Sequence, residues 1–139
     1  MKQGKFKTLL GGLAAFGLIV SAEPSSGSPA GLWQAKDGAK IRIAPCGQNL
    51  CGVIAQIKTG GGSRDNNNSD PTKRNRALVG IQVLISMQPN GPSKWSGRVY
   101  NDDDGRTYSG NLIELGPSKI KIEGCWLTIC DGENLTRVE

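Results

Sequence analysis

Apolar residues recur at every second position in several short runs of this chain, and that period commits it to β structure. Ile41 and Ile43 alternate with Lys40 and Arg42. Val79, Ile81, Val83, Ile85 and Met87 line one face of a run, against Gly80, Gln82, Ser86 and Gln88. Trp95, Gly97 and Val99 alternate with Ser96, Arg98 and Tyr100, and Ile120 and Ile122 with Lys119, Lys121 and Glu123. A strand sends successive side chains to opposite faces, so these rows describe strands buried on one side. Beyond the N-terminal apolar stretch, no sustained apolar stripe at helical spacing occurs. Turn-forming clusters separate the runs: Gln88-Pro89-Asn90-Gly91-Pro92, Asn101-Asp102-Asp103-Asp104-Gly105 and Gly116-Pro117-Ser118. Strands at this spacing build a sandwich or a barrel. Gly80, Gly97 and Gly110 fall inside strand-like runs, where glycine marks bulges and bends. The expected fold is an antiparallel sheet curled into a small barrel.

The N-terminus reads as an export signal. Lys2, Lys5 and Lys7 precede an apolar segment of 13 residues, Thr8 to Val20, and Val20-Ser21-Ala22 suits cleavage after Ala22. The segment is too short for a spanning helix, which needs roughly 20 apolar residues. The expected organisation is a signal peptide over 1–22, a flexible leader over 23–30 and a single domain over 31–139. Export places the protein in the periplasm or outside the cell, with no membrane span after cleavage. Three of the 17 basic residues leave with the signal, so 14 face 12 acidic ones in the mature chain. That near balance, without a basic stripe carrying aromatics, argues against nucleic acid as a partner.

Four cysteines form two Cys-x4-Cys pairs, Cys46/Cys51 and Cys125/Cys130, each following a strand-like run. An even count in an exported chain favours disulfides, and three connectivities are open. Local pairing is the most economical because each short loop can close a tight hairpin. Each such bridge contributes about 2 kcal/mol. A four-thiolate zinc site is the alternative, and an oxidising compartment opposes it.

The chain has no histidine, which removes Ser-His-Asp and Cys-His catalysis and every histidine metal site. No spacing places two carboxylates together on one face for acid–base work. No cofactor is implied. Thr59 to Ala77 is long for a hairpin connection, and such connections tend to carry function. Counted from Asp65, the sixth and twelfth positions of a calcium loop fall on Asp70 and Arg76, which breaks the EF-hand pattern. Asn and Asp here are read as turn formers. Asp102-Asp103-Asp104-Gly105 is read as a solvated hairpin tip. Arg64, Lys73, Arg74 and Arg76 form either an anion patch or internal pairs with loop carboxylates, with Arg76 the foremost candidate and the internal pair favoured.

Several blocks in fixed order resemble a known family. They are Gly31-Leu32-Trp33; Cys46-Gly47-Gln48-Asn49-Leu50-Cys51-Gly52; Asp65 to Pro71 followed by Arg74 to Gly80; Trp95 to Asn101 with Gly105-Arg106-Thr107-Tyr108; and Gly124-Cys125 to Cys130. Together they resemble the bacterial exported proteins grouped as domain of unknown function 2147. Two positions depart from that pattern: Asn68-Ser69 stands where the family carries Asn-Pro, and Leu135 where it carries Trp. The resemblance implies a lipocalin-like, up-and-down barrel and no established activity.

A small barrel either fills its interior with side chains or holds one small ligand. The leading expectation is therefore a barrel that binds a small, largely apolar ligand. Its candidate binding residues are Trp33, Asp65, Asn68, Arg76, Trp95 and Tyr108; Trp126 is a further candidate for the cavity wall. The alternatives are an envelope protein-interaction module without a cavity, using the Thr59 to Ala77 loop, and an enzyme working with carboxylates alone.

Overall fold

The computed structural model of the chain describes residues 28–139. The expected signal peptide, and all of the leader but Ser28–Ala30, lie outside the described residues. Eight strands follow one another in chain order: β1 (Gly31–Ala35), β2 (Lys40–Cys46), β3 (Asn49–Gln56), β4 (Gln82–Pro89), β5 (Lys94–Asn101), β6 (Arg106–Gly116), β7 (Lys119–Trp126) and β8 (Ile129–Arg137). Each pairs antiparallel with the next, and β1 pairs with β8 to close the barrel. A single 3-10 turn, Pro71–Lys73, lies in the connection between β3 and β4. The small antiparallel barrel read from the residues, and the up-and-down order that the resemblance implies, are therefore both present. Closure leaves no exposed sheet edge.

The alternation that announces the strands survives except where the sheet bends. The row expected from Val79 to Met87 is broken twice. Val79 and Gly80 precede β4, and Gly80 turns the chain with φ 96°. Within β4 the register with β5 shifts between Ile85 and Gln88, and Ser86 adopts φ 51°. The extra residue puts Val83, Leu84 and Met87 in the core and leaves Ile85 half-buried. Gly97 makes this bulge possible. A Cβ there would lie 2.7 Å from the carbonyl oxygens of both Ile85 and Ser86.

Both cysteine pairs close locally. Cys46–Cys51 staples the β2–β3 hairpin and Cys125–Cys130 the β7–β8 hairpin. Both sulfurs of each pair are spent, so the zinc alternative has no thiolates to use. The hairpins alternate between the two ends of the barrel, and the two staples therefore sit at opposite ends.

One end is closed. Trp33 is fully buried, and its indole N–H donates to the Pro29 carbonyl at 2.8 Å. Arg137, its ladder partner across the closure, stacks 4.3 Å from the Trp33 ring. The same guanidinium donates to the carbonyls of Ala30, Ser28 and Pro117 at 2.8, 3.1 and 2.9 Å. Residues 28–30 are thus strapped across this end. Above it lie Ile43, Met87, Leu112, Ile120 and Leu135, all buried. Leu135, where the resemblance expects Trp, fills its place by aliphatic packing in the core.

Candidate ligand-binding site

The opposite end is roofed by the β3–β4 connection, which is anchored rather than loose. Asp65 is 1% exposed, and its carboxylate takes three donors. They are the Tyr100 hydroxyl at 2.5 Å, Asn68 Nδ2 at 2.7 Å and Arg76 Nε at 2.9 Å. Burial pushes the Asp65 carboxyl up, but these three hydrogen bonds outweigh it and hold the group below the ordinary carboxylate range. Around this centre the chain is tied to itself. Arg64 donates to the Asn75 carbonyl at 2.9 Å and Arg74 to the Asn68 carbonyl at 2.8 Å. Asp70 caps the 3-10 turn by accepting from the Thr72 amide and hydroxyl. Asn and Asp therefore serve as turn and cap residues here, as read from the sequence, and Arg76 pairs with Asp65 inside the loop.

The roof is also fixed to the neighbouring hairpin tip. Asn67 Nδ2 donates to the carbonyls of Asp102 and Asp103, and the Ser69 amide to that of Gly105. Gly105 holds φ 73°, and an added Cβ would lie 1.6 Å from the Asn67 carbonyl oxygen. The contact requires glycine on both counts.

Beneath the roof a cavity of about 800 Å³ opens at this end. Binding pockets for small molecules run from roughly 300 to 1,000 Å³. Its floor is apolar: Ile54, Val83, Leu84, Val99 and Ile122. Its rim is charged and comes from three connections and one strand. Asp37 follows β1, Lys58 and Arg64 belong to the roof, Asp102 and Asp103 to the β5–β6 tip, and Asp131 and Glu133 to β8. Trp126 and Ile129 flank the β7–β8 turn on the same rim and are largely exposed, as is Leu127 in the turn, which holds φ 58°.

The rim carboxylates are not equivalent. Asp103 forms an ion pair with Lys58 at 3.0 Å. Asp104 accepts from the Tyr108 hydroxyl and from the Arg106 amide. Asp102 and Glu133 have no ion-pair partner among the described residues. Burial and the Asp103 charge push the Asp102 carboxyl up. Burial, together with the charges of Asp37, Asp103 and Asp102, pushes Glu133 up.

The candidates from the sequence fall into three places. Tyr108 lines the cavity, as does Trp126. Asp65, Asn68 and Arg76 come together as the anchor of the roof. Trp33 lies at the closed end, and Trp95 is half-buried against the core. The hairpin tip is more than a solvated turn, because Asp102 is half-buried and faces the cavity. Asp102 and Glu133 escaped sequence reasoning because they lie on different hairpins, and only closure of the barrel brings them to one mouth. Glu123, Cys125 and Cys130 gather three donor atoms within 4.8 Å, but both sulfurs are in the disulfide.

Comparison with known proteins agrees with this architecture. Protein HP1028 from the human pathogen Helicobacter pylori, described as belonging to the lipocalin family, superposes with a TM-score of 0.72 over 82% of this chain and 85% of its own. The two are 17% identical, so the likeness concerns the fold. No curated protein matches the chain. A family model described as an uncharacterized protein conserved in bacteria, DUF2147, matches residues 31–137. The chain, over nearly the whole of its barrel, therefore belongs to the DUF2147 family.

Proposed function

We propose that this protein is an exported binding barrel that holds a small, largely apolar ligand in the cavity under the β3–β4 roof. The observation that carries the reading is the combination of a closed barrel with an open-ended cavity of about 800 Å³, apolar at its floor and polar at its rim. An apolar wall with a few placed polar groups is the usual make-up of a ligand site. Tyr108 sits at the mouth, and the Asp65–Asn68–Arg76 centre holds the adjoining roof residues Arg64, Asn66 and Asn67 at the cavity. The likeness in fold to a lipocalin-family protein supports the same reading. Export to the periplasm or beyond is supported by the two disulfides, which persist in oxidising compartments, and by the signal-like N-terminus.

Two carboxylates in one mouth also meet the minimum for acid–base chemistry. Such catalysis divides labour between groups whose environments push their pKa values apart. An interaction module using the basic loop gains little support, since Arg64, Arg74 and Arg76 are engaged within the loop.

Native mass spectrometry of protein recovered from an oxidising compartment tests the proposal. The expected result is a mass lower by four hydrogens, from two disulfides, with a non-covalent small-molecule adduct. After organic extraction, the protein is expected to take up one equivalent of an apolar fluorescent probe. Failure of the extracted, folded protein to bind any apolar probe saturably would overturn the reading.

A further inference from the structure

The cavity has one polar feature that its apolar floor does not explain, namely the sign of its rim. Six carboxylates line it (Asp37, Asp102, Asp103, Asp104, Asp131 and Glu133) against three cations, Lys40, Lys58 and Arg64. The excess is three negative charges. Without the signal the chain carries 14 basic residues against 12 acidic ones, so the negative field belongs to the mouth and not to the protein at large. A concave, low-dielectric wall lined by one sign of charge focuses that field on whatever enters.

The cations at the rim do not cancel it. Lys58 pairs with Asp103, and no ion pair joins Lys40 or Arg64 to a rim carboxylate among the described residues. Asp102, half-buried, and Glu133, exposed on a different hairpin, both line the mouth without an ion-pair partner among the described residues. Leaving a half-buried carboxylate such as Asp102 unpaired is unfavourable, and an incoming positive charge removes that penalty. The floor just below offers Ile54, Leu84, Val99 and Ile122 to a hydrocarbon body. Trp126 and Ile129 extend the apolar surface up to the mouth.

We propose that the cavity takes an amphiphilic cation, with an ammonium head between Asp102 and Glu133 and a hydrocarbon body on the apolar floor. The inference rests on the reading of the barrel as a binding protein and names the chemical class it selects. The site is the cavity; the carboxylates decide which head group it accepts. An anionic amphiphile, such as a fatty acid, meets repulsion at the same rim.

Three probes of equal chain length test this on the extracted, disulfide-bonded protein: decyltrimethylammonium, decanol and decyl sulfate, each below its aggregation concentration, by isothermal titration calorimetry. The cation is expected to bind at least about tenfold tighter than the anion. The preference is expected to shrink as salt rises from about 0.05 to 0.5 M. The paired substitution Asp102→Asn and Glu133→Gln is expected to weaken the cation about tenfold more than it weakens decanol. Should that variant fail to fold, the salt series on the unaltered protein decides the matter alone. Equal or tighter binding of decyl sulfate, or a cation affinity indifferent to salt, overturns the proposal while leaving a binding barrel in place. If none of the three probes binds, the binding reading itself falls and the proposal falls with it.

Discussion

The Tyr100 hydroxyl donates to the Asp65 carboxylate at 2.5 Å, joining the barrel wall to the loop that roofs its cavity. Asp65 has no exposed side-chain surface and takes two further donors, Asn68 and Arg76. One buried carboxylate thus ties the centre of the roof to the wall, beside the ties that hold the roof to the β5–β6 tip.

Removing that carboxylate leaves three donors without an acceptor. Asp65→Ala is expected to destabilise the protein by about 3–5 kcal/mol, the usual cost of breaking a buried charged network. Tyr100→Phe removes one donor and keeps the ring, so it is expected to cost about 1–2 kcal/mol. Urea unfolding gives both values. Hydrogen exchange in Tyr100→Phe is expected to rise first in the roof amides, such as those of Asn68 and Leu78; a uniform rise across the barrel would mean that the roof is not a separate unit.

The same pair is expected to contribute to both arms of the pH–stability curve. Asp65 lies below the ordinary value of 3.8, since its hydrogen bonds outweigh the upward push of burial. Its contribution is present above the unfolded value and is lost as pH falls through the folded one. Tyr100 is pushed up to about 12, first by burial and then by its bond to Asp65. Its contribution is present below the unfolded value of 10.0 and is lost as pH rises towards 12. Tyr100→Phe is expected to flatten the alkaline arm in unfolding curves collected across pH. An unchanged alkaline arm would assign it to other groups.

How much of this could be read from the residues depends on how far each contact reaches along the chain. The disulfide pairing was legible, because Cys-x4-Cys spacing and a turn already bring the sulfurs together. The Arg76–Asp65 pair was legible as loop chemistry. Tyr100 was not, since alternation with Trp95, Gly97 and Val99 puts it in the polar row, and nothing local reveals a roof over it. Strict alternation also failed at Ser86, because a bulge needs a partner such as Gly97 on the next strand, and the two are far apart in sequence. The acidic mouth was invisible for the same reason. Asp37, Asp102 and Glu133 meet only once β1 has paired with β8.

Asp102 carries a cost in the ligand-free protein. Its folded pKa is raised by burial and by Asp103, so its stabilising contribution belongs to acid solution and is lost as pH rises past the unfolded value of 3.8. Asp102→Asn is expected to raise the thermal midpoint at neutral pH, with no gain near pH 3. Binding groups often trade stability for function in this way. A lowered midpoint at neutral pH would show that the carboxylate makes a favourable contact in the folded state.

Gly105 fixes the roof to the β5–β6 tip. Gly105→Ala is expected to cost about 1–3 kcal/mol, from the positive φ and from displacement of the Asn67 carbonyl. The change in ligand affinity is expected to exceed that caused by an equally destabilising substitution at the closed end. Calorimetry of the two variants side by side measures the difference.

The two disulfides divide in the same manner. Replacing either pair by serine is expected to lower stability by about 2 kcal/mol, since both close short loops. Loss of Cys125–Cys130 is expected also to weaken ligand binding, because Trp126 and Ile129 beside it line the mouth. Loss of Cys46–Cys51, at the closed end, is expected to leave affinity intact. Equal effects on affinity would argue that the mouth is not shaped by its staple.

The Arg137 strap holds Ser28 and Ala30 against the closed end, below Trp33. Residue 28 therefore sits at the closed base of the vessel, on the side away from its opening. Attached by that end to a bead, a fusion partner or a surface, the barrel stands upright, with its mouth facing outward and free to fill.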